Sequence, residues 1–301
     1  MANSSSNDNE RCRPFLKWAG GKTQLIPEIL NWLPPGFEHA HTYVEPFAGS
    51  GALLFNILRQ FPHIKKAIIN DFNEDLVNTY NTIKHSVNEL ISELFKLEKE
   101  FRQLNSHELQ RGFFMNIRSA FNSRQSNLVR QSAYLIFLNK TCFNGLYRVN
   151  SNNYFNVPFG RYKNPLICDS GNLLKVSNAL QRVEILNGDY SNTLSFANDG
   201  CFFYLDPPYK PISATASFNS YGSTGFNDEQ QVRLKKFCDN LDTKGAKWLL
   251  SNSDLKNIDP ENSFFDELYS GYHIRRVKAK RSINSVGKSR GEINELLISN
   301  Y

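Results

Sequence analysis

Asp206, Pro207, Pro208 and Tyr209 follow directly on the apolar run Cys201-Phe202-Phe203-Tyr204-Leu205. A short, aromatic-rich apolar run reads as a buried strand, and a proline pair ends it abruptly. A carboxylate then sits at the carboxyl end of a strand, the edge where ligands bind in open α/β sheets. Asp206 and the Pro207 carbonyl are two acceptors for an exocyclic NH₂, and Tyr209 supplies a ring to stack on a base. An adenine N6 amine is a poor nucleophile because its lone pair is delocalised into the ring. Two acceptors aimed at it favour the pyramidal form, whose lone pair can attack a methyl sulfonium. The plainer reading is a strand, a Pro-Pro turn and a surface aspartate. By average residue usage the tetrapeptide arises on the order of once per thousand chains of this length. That rarity favours the chemical reading.

A second pattern lies near the start. His41 to Val44 reads as a strand, followed by Glu45-Pro46-Phe47-Ala48-Gly49-Ser50-Gly51 and a helical run from Ala52. A strand, a Gly-x-Gly turn and a helix make a nucleotide-cradling unit. The next strand, Ala67 to Ile69, ends in Asn70-Asp71, where an acid that binds ribose hydroxyls belongs. The turn lacks the third glycine of the dinucleotide fingerprint and carries Glu45 just before it. An acid there repels a pyrophosphate and tolerates a cationic sulfonium or an amine, which favours S-adenosylmethionine over NAD. Upstream, Phe15-Leu16-Lys17-Trp18-Ala19-Gly20-Gly21-Lys22 reads as a tight turn opening a helix over Leu25, Ile26, Ile29, Leu30 and Leu33. Trp18 and Lys22 suit an adenine or a carboxylate, and an ordinary helix start with an exposed lysine fits as well.

Between these patterns the sheet signal disappears. Residues 74–84, 87–104, 108–123 and 128–139 read as helices. Two aromatic-rich alternating stretches around Asn150-Ser151-Asn152-Asn153 then read as a β-hairpin carrying Arg148, Arg161 and Lys163 at its ends. Amides, arginines and aromatics on a two-stranded ribbon suit a major groove, with Arg reading guanine and Phe143 wedged into a base step. An ordinary surface hairpin would look alike. After residue 178 strands return: 183–186, ending at Asn187-Gly188-Asp189-Tyr190 with a second acid at the same edge, then the Asp206 strand, 247–251, 272–277 and 293–299. A helix spans 229–241, and the polar stretch 213–227 is long enough for a lid. Residues 273–290 hold seven cations and no acid, suited to phosphates or to a charged edge strand.

Composition is consistent with this reading. The 301 residues carry a net charge of +6, which suits a polyanionic partner, and 40% hydrophobic residues allow a real core. Five scattered cysteines show no zinc-type spacing, so they read as reduced thiols in a cytoplasmic protein without a metal. No stretch is long and apolar enough for a membrane span. Residues 1–10 read as a disordered tail.

These stretches, in this order, resemble the Dam/DpnM family of DNA adenine-N6 methyltransferases over nearly the whole chain. The matching segments are 15–22, 45–51, 70–73, 143–150, 155–165, 206–213, and Arg281 with Ser282. The resemblance implies an α/β fold: a Rossmann-like mixed sheet formed by 11–73 and 181–301, with 74–180 inserted as a helical and β-hairpin DNA-recognition region. It implies S-adenosylmethionine held by Trp18, Ala19, Gly20, Lys22, Glu45, Pro46, Phe47, Gly49, Gly51, Asp71, Asp189, Tyr190 and Asp206. The flipped adenine would sit on Asp206, Pro207, Pro208 and Tyr209, since N6 cannot be reached inside the stack. Lys17, Phe143, Asn144, Leu146, Arg148, Arg161 and Tyr162 fall at DNA-contact positions, with Arg148 the guanine reader. Some members have Tyr where this chain has Phe143, so stacking survives but a hydroxyl contact does not. Relatives with this hairpin usually methylate the adenine of GATC, which implies a double-stranded DNA substrate. A monomer acting on DNA in the nucleoid, in a restriction–modification pair or otherwise, completes the expectation.

Overall fold

The computed structural model describes residues 12–18, 20, 24–209, 226–280 and 292–301. Among these, seven strands form one mixed sheet: β1 (Thr42–Glu45), β2 (Lys66–Asp71), β3 (Val183–Asn187), β4 (Cys201–Leu205), β5 (Lys247–Ser253), β6 (His273–Lys280) and β7 (Glu292–Ser299). The order is β3-β2-β1-β4-β5-β7-β6. β1 pairs in parallel with β2 and β4, and β4 with β5, while β7 runs antiparallel to both β5 and β6. The chain steps outward from β1 to β2 and then returns to place β4 on the other side of β1. That reversal makes a switch point at the carboxyl ends of β1 and β4. The mixed α/β class expected from the sequence is the one found.

The chain divides into two compact units. The second comprises residues 22–48, 61–70 and 188–301 and holds most of the sheet. β4 is buried along its whole length, which explains its uninterrupted apolar sequence. Tyr43, Phe202, Phe203, Tyr204, Trp248, Leu249 and Leu297 form its core. α8 (Asp228–Thr243) is capped by Asn227, whose side chain accepts from the Gln230 N–H. α1 (Ile26–Asn31) is shorter than the periodicity suggested, and Leu33 lies outside it. Pro34 and Pro35 force the preceding backbone out of the helical region.

The first unit comprises residues 1–21, 49–60 and 71–187. It contains α2 (Ala52–Gln60), α3 (Glu74–His85), α4 (Val87–Gln103), α5 (His107–Ser123), α6 (Leu128–Thr141) and α7 (Ser170–Leu180). Asn73, Ser106 and Asn127 cap α3, α5 and α6 by accepting from the third residue on, so these helices begin within a residue of their predicted starts. α7, capped by Asp169, was not expected from the sequence. α6 is buried almost all round. Phe137 on α6 meets Phe101 and Phe113 edge-on, each at 5.5 Å between ring centroids. The fully buried Phe101 and Phe137 rings each contribute about 1.5–3 kcal/mol by burial alone.

Candidate functional site

The end of β4 is held from the neighbouring strands of the second unit. Ser251, fully buried on β5, donates from Oγ to Asp206 Oδ1 at 3.0 Å. The Tyr204 hydroxyl lies 3.0 Å from the same Oγ, so a Tyr204–Ser251–Asp206 chain orients the carboxylate. Three residues on, the Tyr209 hydroxyl donates to Glu295 Oε2 on β7 at 2.7 Å. Burial first, then the Asp206 and Glu295 charges, push the Tyr209 phenol well above its ordinary range, which keeps its proton on. The Tyr204 phenol is pushed up by burial and next by Asp206, with Glu45 and Glu295 adding to it. Three carboxylates therefore act on one buried phenol, and this strand edge is acidic in a chain of net charge +6.

Glu45 ends β1 and is 4% exposed. Beyond it Asn70 ties two turns together, donating from Nδ2 to the carbonyls of Pro46 and Gly188 at 3.0 Å each. The Phe47 ring tilts against Tyr190 at 5.1 Å. Asp189 is occupied: Arg233 on α8 donates to Oδ1 and Oδ2 at 2.7 and 2.8 Å, and the Ser191 N–H donates to Oδ1. The Arg233 hydrogen bonds bring the Asp189 carboxyl down to about 2. The Arg233 guanidinium also lies over the Tyr190 ring at 4.9 Å.

In the first unit, Gly49 and Gly51 have φ of 48° and 68°. A Cβ on Gly49 would come within 3.2 Å of Trp18 Cδ1, and one on Gly51 within 2.7 Å of the Tyr80 hydroxyl. The turn thus needs glycine both for its left-handed backbone and for its close neighbours. Asp71 accepts from the Gly49 N–H on Oδ2 and the Asn73 N–H on Oδ1, each at 2.9 Å. Burial nevertheless raises its pKa above the usual carboxylate range. Trp18 stacks on Tyr147 at 4.9 Å, and Tyr147 donates to Asp75, which also receives both Nη atoms of Arg124. Gly20 lies in a left-handed turn. Phe72, directly after Asp71, is 85% exposed.

The hairpin forms, but its antiparallel ladder is reduced to single bridges at Cys142↔Phe159 and Val149↔Phe155. Asn144, Asn153 and Arg161 adopt positive φ and Pro158 has no N–H to donate, so regular pairing cannot propagate. Asn144 sits within a short 3-10 turn, Phe143–Gly145. Phe143, Asn144, Arg148 and Arg161 are exposed, and Leu146 and Tyr162 are half-buried. Arg148 donates across its own hairpin to Asn156 Oδ1 at 2.7 Å. Asn139, buried on α6, anchors the exposed Lys17 by its backbone: the Lys17 N–H donates to Oδ1, and Nδ2 donates to the carbonyls of Lys17 and Gly145, all at 2.9 Å.

Ser251, Glu295, Asn139 and Arg233 were not read as site residues from the sequence. Single polar residues inside apolar strands and helices give no local signal of a distant partner. Ala19, Lys22, the tail at 1–10, most of the 213–227 stretch, and Arg281 with Ser282 lie outside the described residues. Among the described residues no group of His, Cys, Asp or Glu is arranged for a metal, and no helix is long and apolar enough to cross a membrane. All five cysteines are free thiols.

The model of the D12 class of N6 adenine-specific DNA methyltransferases matches residues 18–283. The Type II methyltransferase M.MjaIII of Methanocaldococcus jannaschii is 48% identical over 294 residues, covering 96% of this chain and 99% of its own. The Type II methyltransferase M1.LlaDCHI of Lactococcus lactis subsp. cremoris is 39% identical, covering 96% and 95%. The DNA adenine methylase of Escherichia coli K12 is 33% identical, covering 95% and 94%.

Proposed function

Because the chain belongs to the D12 class of N6 adenine-specific DNA methyltransferases, we propose that it transfers a methyl group from S-adenosylmethionine to an adenine flipped out of duplex GATC. The observation that carries this reading is the Asp206–Tyr209 segment: a carboxylate aimed by Ser251, a carbonyl on Pro207, and a ring steadied through Glu295. Asp206 and the Pro207 carbonyl accept from the two N6 hydrogens, and Tyr209 stacks on the base. The acceptors draw the N6 lone pair out of conjugation. No cysteine lies in the tetrapeptide to form a covalent intermediate. Once N6 carries the methyl, its proton becomes acidic and passes to Asp206, which need not be a strong base beforehand. Positioning and fixed charge supply most of the rate.

The residues present fit a cationic nucleoside cofactor. Glu45 and Asp206 make the strand edge of the second unit acidic, which suits a cationic group. Bound S-adenosylmethionine supplies an electrophilic methyl group. On the family resemblance Glu45, Pro46, Phe47, Asp189, Tyr190 and Asp206 serve it in the second unit, and Trp18, Gly20, Gly49, Gly51 and Asp71 in the first. Ala19 and Lys22 are assigned on sequence alone. We add Phe72, whose exposed ring beside Asp71 suits a purine face. Lys17, Phe143, Asn144, Leu146, Arg148, Arg161 and Tyr162 serve the DNA, with Arg148 on a guanine. The protein acts as a monomer in the cytoplasm, on double-stranded DNA.

Transfer of labelled methyl to duplexes that differ by single bases within GATC tests the reading. The expected product is N6-methyladenine in GATC alone. Label elsewhere, or no transfer to any duplex, overturns it.

A further inference from the structure

We propose that Glu295 is a positioning residue for methyl transfer, setting the tilt of the Tyr209 ring and through it the plane of the target base. The proposal rests on the methyltransferase reading above. Tyr209 lies three residues past Asp206, beyond the end of β4. A ring in that place turns about two side-chain torsions, and stacking alone tolerates a range of tilts. Its hydroxyl adds nothing to a stacking face. What the hydroxyl does is reach Glu295 Oε2 at 2.7 Å, within the range of a charge-assisted O–H···O bond.

Three features make this contact a steering device. Glu295 is placed by the sheet, since β7 pairs with β5 and aligns Glu295 with Ser253, two residues from the Ser251 that orients Asp206. Both ends of the tetrapeptide are thus fixed from β5 and its partner. The contact also has a settled direction, because a carboxylate can only accept and the phenol can donate. Finally, the N6 lone pair points out of the base plane, and pyramidalisation localises it on one face of the base, so its line of attack is set by the base plane. An error in ring tilt therefore becomes an error in aiming N6 between its acceptors and the methyl carbon. Displacements of this size cost rate without costing much binding.

A double-substitution cycle tests the assignment. Single-turnover methyl transfer to a saturating GATC duplex is measured for the unmodified protein, Tyr209→Phe, Glu295→Ala, Glu295→Gln and the combined Tyr209→Phe/Glu295→Ala. Duplex affinity, the fluorescence of 2-aminopurine at the target position, and thermal melting are followed alongside. Tyr209→Phe and Glu295→Ala should each slow transfer on the order of tenfold, with duplex affinity held and the altered fluorescence reporting a differently stacked base. The combined variant should be no slower than the slower single one, and Glu295→Gln, which keeps an acceptor, should recover most of the rate. If Glu295→Ala does not fold, Glu295→Leu, which keeps the bulk and removes the acceptor, replaces it in both backgrounds. A loss with Tyr209 intact that vanishes in the Tyr209→Phe background supports the assignment. Losses that multiply, or a Glu295 effect of equal size in the Tyr209→Phe background, overturn it while leaving the methyltransferase reading intact. An unmodified protein that methylates no duplex overturns that reading, and this one with it.

Discussion

The strand ends of the second unit and the hairpin of the first are built on opposite plans. At the strand ends, Asp206 is held by Ser251, Tyr209 by Glu295, and Asn70 locks the adjoining turns. The supporting residues Ser251, Asn70 and Tyr204 are buried, which limits the access of competing water to the bonds they make. In the hairpin, Phe143, Asn144, Arg148 and Arg161 are exposed, the ladder is broken into single bridges, and Arg148 rests against Asn156 on its own hairpin. Chemistry at one atom demands a carboxylate fixed in advance. Reading a duplex demands side chains that leave their resting partners for bases and phosphates. The charge differs in the same sense: acid at the strand ends, as the proposed cationic donor and amine require, and arginine on the hairpin.

This contrast is easiest to break at Asp206. Asp206→Ala should lower methyl transfer by on the order of a thousandfold, read by labelled-methyl incorporation, while duplex affinity in a binding titration changes little. A parallel fall in affinity would mean that the strand end also carries the DNA.

Arg148→Ala should have a smaller and different effect. Discrimination against a substituted guanine should weaken by roughly 1–3 kcal/mol, measured as the ratio of rates on cognate and altered duplexes. An equal loss on every duplex would instead make Arg148 a phosphate contact.

The smallest effect should come from the Arg233–Asp189 pair, which is half-exposed and screened by solvent. Because its folded pKa is depressed, Asp189 contributes stability that is fully present above its unfolded value of about 3.9 and is lost as pH falls through about 2. The stability difference between the unmodified protein and Arg233→Met, from denaturant unfolding, should therefore be constant near neutrality and vanish between about pH 4 and about pH 2. A difference that persists below that window would assign Arg233 to packing on Tyr190 instead.

Elements with a local cause were legible in the sequence. Asn73, Ser106 and Asn127 announce their helices because a cap bonds within three residues. The Cys201–Leu205 run announces a central strand because both its faces are buried. The tetrapeptide after it and the Gly49–Gly51 turn stood out because proline and glycine each impose backbone constraints that read at once. The short α1, the broken hairpin ladder and α7 were less legible. In the first two, proline and left-handed residues compete with the periodic signal.

By itself, then, the sequence determined which groups are candidates for the proposed chemistry and the order in which they occur along the chain. The tertiary structure alone decided what holds them: Ser251 for Asp206 across 45 residues, Glu295 for Tyr209 across 86, and Asn139 for Lys17 across 122. A strand or cap is written in neighbouring residues, because its hydrogen bonds close within a few positions. A serine or glutamate on a distant strand acquires its partner only when sheet register brings the two side by side, and one sequence carries no mark of that register.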